Sequence, residues 1–145
     1  MILQLAIGGA LILATVMVAA VSWMALEVPL EQLRRWAIRS PRRRRMALVI
    51  VVVLLYTLAV LTVSIWIWAF AFFALGLFGT VEASVYFALV AFTTLGFGDV
   101  LLAEEWRLLS GMTAANGFLS FSLLTAVLIE TFSVLRRARR GDRFD

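Results

Sequence analysis

The chain of 145 residues is 63% hydrophobic, carries a formal net charge of +4 and contains neither histidine nor cysteine. Such a composition is typical of an integral membrane protein, and this length allows a single membrane domain. The missing residue types exclude disulfides and metal sites built on thiolate or imidazole. We expect no enzymatic activity and no cofactor.

All thirteen basic residues are arginine, and they form two clusters that flank apolar segments. Seven lie within 34–45 and five within 136–143, whereas Arg107 stands apart. Positive charge beside a span marks the cytoplasmic side of a membrane, so topology accounts for the net charge and no nucleic-acid partner is expected. The N-terminus should lie outside and the C-terminus in the cytoplasm, in a multi-pass protein of the cell (plasma or inner) membrane. The use of arginine as the single basic residue type suggests a GC-rich bacterial genome.

Residues 1–26 are almost entirely apolar and long enough to span a hydrocarbon core of about 30 Å. They are predicted to form an N-terminal transmembrane helix. Ala6, Ala10 and Ala14 recur at four-residue spacing beside Gly9, which is the pattern of a close-packing helix face. A plain lipid anchor is the alternative for this helix.

Residues 27–45 are expected to form a cytoplasmic, amphipathic segment. Pro29 is predicted to end the first span and to open a short helix. The apolar face of that helix, with Leu30 and Leu33, should lie in the membrane interface. Anionic lipid headgroups are the expected partners of the arginines that follow. These arginines are Arg42, Arg43, Arg44 and Arg45.

The second apolar run, residues 46–78, is longer than one span requires, so we expect its helix to tilt or to protrude. Thr80 is predicted to be the N-cap of a short helix over 80–92. Because so short a helix cannot cross a bilayer, it should enter the membrane from the outside and return as a re-entrant helix.

Residues 93–99 follow this short helix and read Thr-Thr-Leu-Gly-Phe-Gly-Asp. Two glycines two positions apart weaken a helix and open conformations with φ above zero. Irregular backbone at membrane depth is tolerated only where it is buried in protein or lines a watery path. A cation path requires such backbone, because its carbonyls must replace the hydration shell of the ion.

Thr93-Thr94-Leu95-Gly96-Phe97-Gly98-Asp99 resembles the selectivity filter of tetrameric potassium channels, whose usual form is Thr-Val-Gly-Tyr-Gly-Asp. The resemblance extends over residues 46–135. It divides them into an outer helix (46–78), a pore helix (80–92), the filter (93–99) and an inner helix (106–135). It implies a homotetramer that conducts K⁺ passively. The implied K⁺ ligands are the carbonyls of Thr94, Leu95, Gly96 and Phe97, and the Thr94 hydroxyl.

The filter and the pore helix before it depart from the family pattern at three positions. Leu95 replaces the usual valine, and Phe97 replaces a tyrosine whose hydroxyl normally bonds to the pore-helix surround. Val90 lies where many members carry an acid that pairs with the residue corresponding to Asp99. The partners left for the Asp99 carboxylate are water, Tyr86 and Arg107. We therefore expect a filter that is less rigid than the family norm.

The last predicted span, residues 106–135, is followed by a cytoplasmic tail, 136–145. Its polar side chains predict a face that lines a hydrated cavity. They are Ser110, Thr113, Asn116, Ser120, Ser122 and Thr125. Gly117 lies at or next to the position where the family's inner helix usually bends, and it is either a hinge or a packing contact.

Glu130 lies among apolar neighbours, six residues before Arg136. An acid inside a span is a functional candidate. Ser122 and Ala126 share its helix face, which would point toward the pore axis as part of a gate or cavity. The alternative is an ion pair between Glu130 and an arginine of the 34–45 segment.

The sequence thus predicts an all-α integral membrane protein with three transmembrane helices, a re-entrant pore helix and a filter loop, assembling as a tetrameric pore. The expected function is that of a potassium-selective channel. Two alternatives stay open: a non-selective Na⁺/K⁺ channel of the same fold, and a non-conducting accessory subunit of a membrane assembly.

Overall fold

Three long helices and one short helix make up the part of the chain that the computed structural model describes, residues 1–38 and 43–141. They are α1 (Ile2–Ile38), α2 (Arg43–Ala74), α3 (Val81–Phe92) and α4 (Arg107–Gly141), with a 3₁₀ helix (Glu104–Trp106) before α4. Helices α1, α2 and α4 are each apolar and long enough to cross a membrane. At 12 residues, α3 is only about 18 Å long and too short to do so. The predicted all-α membrane fold with three spans is confirmed.

The predicted helix break at Pro29 is not found, because α1 continues through Pro29 to Ile38. Proline removes one backbone hydrogen bond, a loss that neighbouring helices can offset in a membrane. Here the residues after Pro29 are held by packing, since Leu30 is buried against Val49 and Val53 of α2. The apolar face expected to lie in the membrane interface therefore packs against protein.

Of the arginines expected at lipid headgroups, Arg45 lies where α1 and α2 approach each other. The Arg45 guanidinium lies 4.3 Å from the centre of the Trp36 ring, a cation–π contact at the end of α1. Arg44 is exposed. Arg42 and the side chain of Arg43 lie outside the described residues.

The side of α1 that packs against α4 is not the predicted alanine stripe. Ala6 and Ala10 are exposed, whereas Gly8 is buried. A Cβ added at Gly8 would lie 2.4 Å from the Met112 sulfur. The close approach therefore occurs one residue away from Gly9, at a position that the four-residue spacing did not indicate.

An aromatic core joins α2 to α3. Trp68 and Phe72 of α2 are fully buried. The Phe72 ring meets Phe87 of α3 edge-on, with ring centres 5.2 Å apart, an arrangement that adds about 0.5–1.5 kcal/mol beyond area burial. This core fixes α3 against α2 and so positions the chain that leaves its C-terminal end.

The turn from α2 to α3 is defined by a glycine and a threonine. Gly76 adopts φ of 68°, and the Leu77 N–H donates to the Phe72 carbonyl at 3.1 Å, as in a Schellman helix end. Residues 75–78, predicted as helix, lie in this turn. The predicted N-cap is confirmed, since Thr80 Oγ1 accepts from the Ala83 N–H at 3.2 Å.

The two ends of the helix bundle differ in chemistry. At one end, the Gln4 side chain of α1 donates to the Glu105 carbonyl of the 3₁₀ helix, which follows the 93–99 loop. At the other end lie Arg45 of α2 and, in the last turns of α4, Arg136 and Arg137. The N-terminus thus lies on the same side of the bundle as the 93–99 loop.

Candidate functional site

The first residues of the 93–99 segment are attached to the last turn of α3 by backbone hydrogen bonds. Thr93 caps the helix, and the Thr94 N–H donates to the Ala91 carbonyl at 3.0 Å. The Val90 carbonyl accepts from the N–H groups of Leu95 at 3.0 Å and Gly96 at 3.4 Å. These bonds turn the chain sharply out of α3 and fix where the segment begins.

The backbone of the segment alternates in the sign of φ. Thr94, Gly96 and Gly98 have φ values of 59°, 58° and 78°, whereas Leu95 and Phe97 lie outside the positive region. Alternation between right- and left-handed conformations gathers successive N–H groups on one side of the chain. The carbonyls can then gather on the other side, where they could surround a cation.

Thr94 is the sole non-glycine with positive φ among the described residues. This conformation costs an L-residue about 1–2 kcal/mol, and such strain is concentrated at functional sites. The two glycines were predicted to adopt positive φ, but Thr94 was not. Gly96 and Gly98 are two positions apart, and the same spacing counted back from Gly96 reaches Thr94. This spacing could have indicated the positive φ of Thr94.

No other part of the described chain covers the segment. Residues 94–99 are all exposed, with Leu95 at 59% and Phe97 at 65%. A Cβ added at Gly96 or Gly98 would meet no atom within 4 Å. Because exposed backbone polar groups are not tolerated in lipid, this surface must face water or another protein chain.

The far end of the segment is held by a side chain of α3. Tyr86 Oη donates to Asp99 Oδ2 at 2.5 Å. This hydrogen bond lowers the pKa of the Asp99 carboxyl below its ordinary value. Arg107 instead pairs with Glu104, at 3.4 Å. Of the three partners that the sequence left open for Asp99, the structure selects Tyr86.

Gly117 of α4 contacts the backbone at the C-terminal end of α3. A Cβ added there would lie 1.7 Å from the Phe92 carbonyl oxygen and 2.6 Å from the carbonyl carbon. Any side chain would force α4 away from the point at which the 93–99 segment begins. Gly117 therefore makes the packing contact that was one of its two predicted roles, and the hinge stays a prediction.

The polar side chains of α4, which predicted that this helix lines a hydrated cavity, are divided between buried and exposed positions. Thr113 and Asn116 are buried, and Asn116 Nδ2 donates to Thr15 Oγ1 of α1 at 2.7 Å. The Ser122 and Thr125 hydroxyls are exposed but donate to carbonyls one turn earlier, at 2.9 and 2.7 Å. Hydroxyls satisfied in this way are tolerated in apolar surroundings, so their number does not predict a water-filled cavity.

Ala126 and Glu130 line a groove between α4 and α1, and Ser122 is not part of its wall. Of the three residues predicted to face the pore axis together, two therefore line this groove and the third does not. Among the described arginine side chains, none forms an ion pair with Glu130. Arg39, Arg42 and the side chain of Arg34 lie outside the described residues.

Residues 48–134 match a protein family described as an ion channel. The chain belongs to this ion-channel family. The match includes most of α2, all of α3, the 93–99 segment and α4 as far as residue 134, and it leaves out α1. Comparisons with curated proteins and with solved structures gave no match.

Proposed function

We propose that four copies of this chain form a potassium-selective channel, in which residues 93–99 of each copy supply one strand of the filter. Potassium ions pass down their electrochemical gradient and bind in turn to the carbonyls of Thr94, Leu95, Gly96 and Phe97. The observation that carries the proposal is that the sign of φ alternates along residues 94–98, being positive at 94, 96 and 98, on a segment that its own chain leaves exposed.

More than one copy is needed for physical reasons. One strand offers its carbonyls from one side, whereas an ion that has lost its water must be surrounded by oxygen. The open space around Gly96 and Gly98 is where neighbouring strands and the ion path would lie. The number four, like the preference for potassium, rests on the resemblance of the heptad to the family's filter.

Selectivity depends on how firmly the carbonyls are held. Both glycines and the Thr94 hydroxyl of the filter pattern are present. Phe97 has no hydroxyl to donate, and its ring is 65% exposed in the single chain. The bond between Tyr86 and Asp99 then becomes the polar tether at the outer end of the filter.

The different chemistry of the two ends of the bundle supports the proposed membrane topology. We place the filter, the N-terminus and the contact between Gln4 and Glu105 on the outside. The arginine clusters lie in the cytoplasm, where Arg44 and its neighbours meet anionic headgroups. A reporter fused at residue 1 that is labelled solely from the cytoplasm would overturn this assignment.

The decisive experiment is ion flux into liposomes that contain the purified protein alone. We expect potassium uptake driven by a potassium gradient, and a reversal potential near that of potassium when sodium is the competing ion. Equal permeation of both ions would favour a non-selective cation channel. The absence of any flux from a folded tetramer would indicate the accessory subunit.

Glycine variants connect this flux to the filter. Gly96→Ala and Gly98→Ala each force an L-residue into positive φ, at a cost of about 1–2 kcal/mol per chain, and should abolish selective flux while the assembly still forms. Gly76→Ala is the matched control, since Gly76 has φ of 68° and open space around it but lies in the turn before α3. Normal flux in both filter variants would show that this segment is not the filter.

The non-selective alternative has one observation in its favour. Where the family pattern has a tyrosine, the ring of Phe97 makes no aromatic contact among the described residues. A filter held at its outer end by a single side-chain bond could widen when potassium is scarce. We expect sodium permeation to appear as external potassium is lowered, and steady selective current at every potassium concentration would contradict this.

A further inference from the structure

A groove of about 380 Å³ lies between α1 and α4, well away from the filter. Its α4 wall begins at Leu123, six residues past Gly117, which is about 9 Å further along the helix. The residues that line it are Val16, Ala19, Ala20, Trp23, Leu123, Leu124, Ala126, Val127 and Glu130. The ion-channel family match leaves out α1, so one wall of this groove comes from outside the matched region.

The chemistry of the groove is that of an apolar slot with one charge. Among the described residues that line it, Glu130 alone is ionisable, and no described arginine side chain pairs with it. Glu130 is exposed in the single chain, and a carboxylate that faces lipid is costly unless a cation accompanies it. Trp23, in the α1 wall of the groove, offers the aromatic face that best attracts an organic cation.

The size of the groove limits its occupant. A volume of about 380 Å³ lies at the low end of the range for small-molecule sites, about 300–1,000 Å³. It suits a single short alkyl chain with its head group, and is too small for a phospholipid with two acyl chains. A metal ion alone would leave the apolar walls without contacts.

We propose that this groove binds a protonated, single-chain amine that enters from the lipid. The ammonium group pairs with the Glu130 carboxylate beside Trp23, and the alkyl chain lies along Val16, Ala20 and Leu123. The site is separate from the ion path, and its occupancy does not depend on whether the protein conducts potassium.

Equilibrium binding of radiolabelled dodecylammonium to the protein in phosphatidylcholine nanodiscs tests this, with empty nanodiscs measuring partition into lipid. We expect a saturable component of one amine per chain. Glu130→Gln should weaken it at least tenfold, and uncharged dodecanol should bind at least tenfold more weakly than the amine. Equal affinity of wild type and Glu130→Gln, or of amine and alcohol, would overturn the proposal.

A second pair of variants tests whether the amine binds in the groove or in the ion path. Ala20→Phe fills the groove from α1 and should remove saturable binding. Val21→Phe is the matched control, because Val21 is 62% exposed and is not part of the groove wall. An amine held in a central cavity would be insensitive to Ala20→Phe, and that result would place the site elsewhere. Failure of both wild type and Val21→Phe to bind would mean that another copy of the chain closes the groove, which also overturns the proposal.

Discussion

In the proposed channel, the two ends of the 93–99 segment, an inner end next to α3 and an outer end at Asp99, are attached in different ways. The inner end, at Thr94 and Leu95, is held by backbone hydrogen bonds to the last turn of α3, and Gly117 brings α4 against the same turn. The outer end is held by one side-chain bond, between Tyr86 and Asp99. The inner attachment depends on backbone geometry, whereas the outer one depends on a hydroxyl that a single substitution removes.

This difference means that the position of the 93–99 segment and its rigidity depend on different contacts. Backbone bonds survive most side-chain substitutions, so the place where the 93–99 segment begins is determined by α3 and by its packing on α2. The tether at Asp99 is exposed to solvent in the single chain and responds to mutation and to protonation. We expect damage at the inner end to affect assembly, and damage at the outer end to affect selectivity.

The largest effect should come from Gly117→Ala. The added Cβ would overlap the Phe92 carbonyl, and because that neighbour is backbone it cannot rotate away. Overpacking of this kind costs about 1–3 kcal/mol per chain. We expect lower thermal stability of the assembly together with loss of flux.

Gly111→Ala is the matched control for Gly117→Ala on the same helix. Gly111 is exposed, and a Cβ there would meet nothing within 4 Å. Replacing this helical glycine should stabilise α4 by up to about 1 kcal/mol. If Gly117→Ala were as stable and as active as Gly111→Ala, the inner attachment would not depend on this contact.

Tyr86→Phe should have an intermediate effect, confined to the outer end. The substitution removes the hydroxyl that donates to Asp99 and changes little else. We expect an assembly of normal thermal stability whose sodium permeation appears at a higher external potassium concentration than in the wild type. Bi-ionic reversal potentials in planar bilayers, recorded while external potassium is lowered, measure this directly.

Tyr56→Phe provides the same chemical change away from the filter. The Tyr56 hydroxyl donates to the Ser22 carbonyl of α1, so its removal should leave selectivity unchanged. Equal selectivity in Tyr86→Phe and Tyr56→Phe would mean that the outer tether does not control the filter.

The smallest effect concerns external pH. The Tyr86 bond lowers the pKa of the Asp99 carboxyl, so the bond favours the deprotonated form. Its contribution is therefore complete above the ordinary aspartate pKa of about 3.9 and is lost as pH falls through the lowered value. We expect selectivity to be constant from about pH 8 to pH 5 and to fall only below about pH 4.

Comparison with Tyr86→Phe isolates the part of the pH dependence that belongs to the tether. Glu82, Glu104 and Glu105 are present in both proteins, so any effect they have on selectivity is common to both. The pH dependence of selectivity that belongs to the tether should be absent from Tyr86→Phe. Identical pH profiles for the two proteins would assign the effect to the glutamates.

The sequence by itself determined the helical class, the three spans and the place of the irregular segment. Long apolar runs have few structures open to them in a membrane, and Gly96 and Gly98 mark where helix must give way to left-handed backbone. Thr80 likewise determined the start of α3, since an N-cap acts within one turn of its own helix. Each of these rests on interactions between residues close in the chain.

The tertiary structure decided what depends on distant residues. Pro29 does not break α1, because α2 packs against the residues that follow it. Asn116 meets Thr15 from 101 positions away, which no periodicity within α4 could indicate. Gly117 became a packing contact because α3 ends beside it, and Tyr86 became the partner of Asp99 because the chain turns back past α3. Spacing along one helix shows which residues share a face, but the neighbour that this face meets depends on how the helices pack.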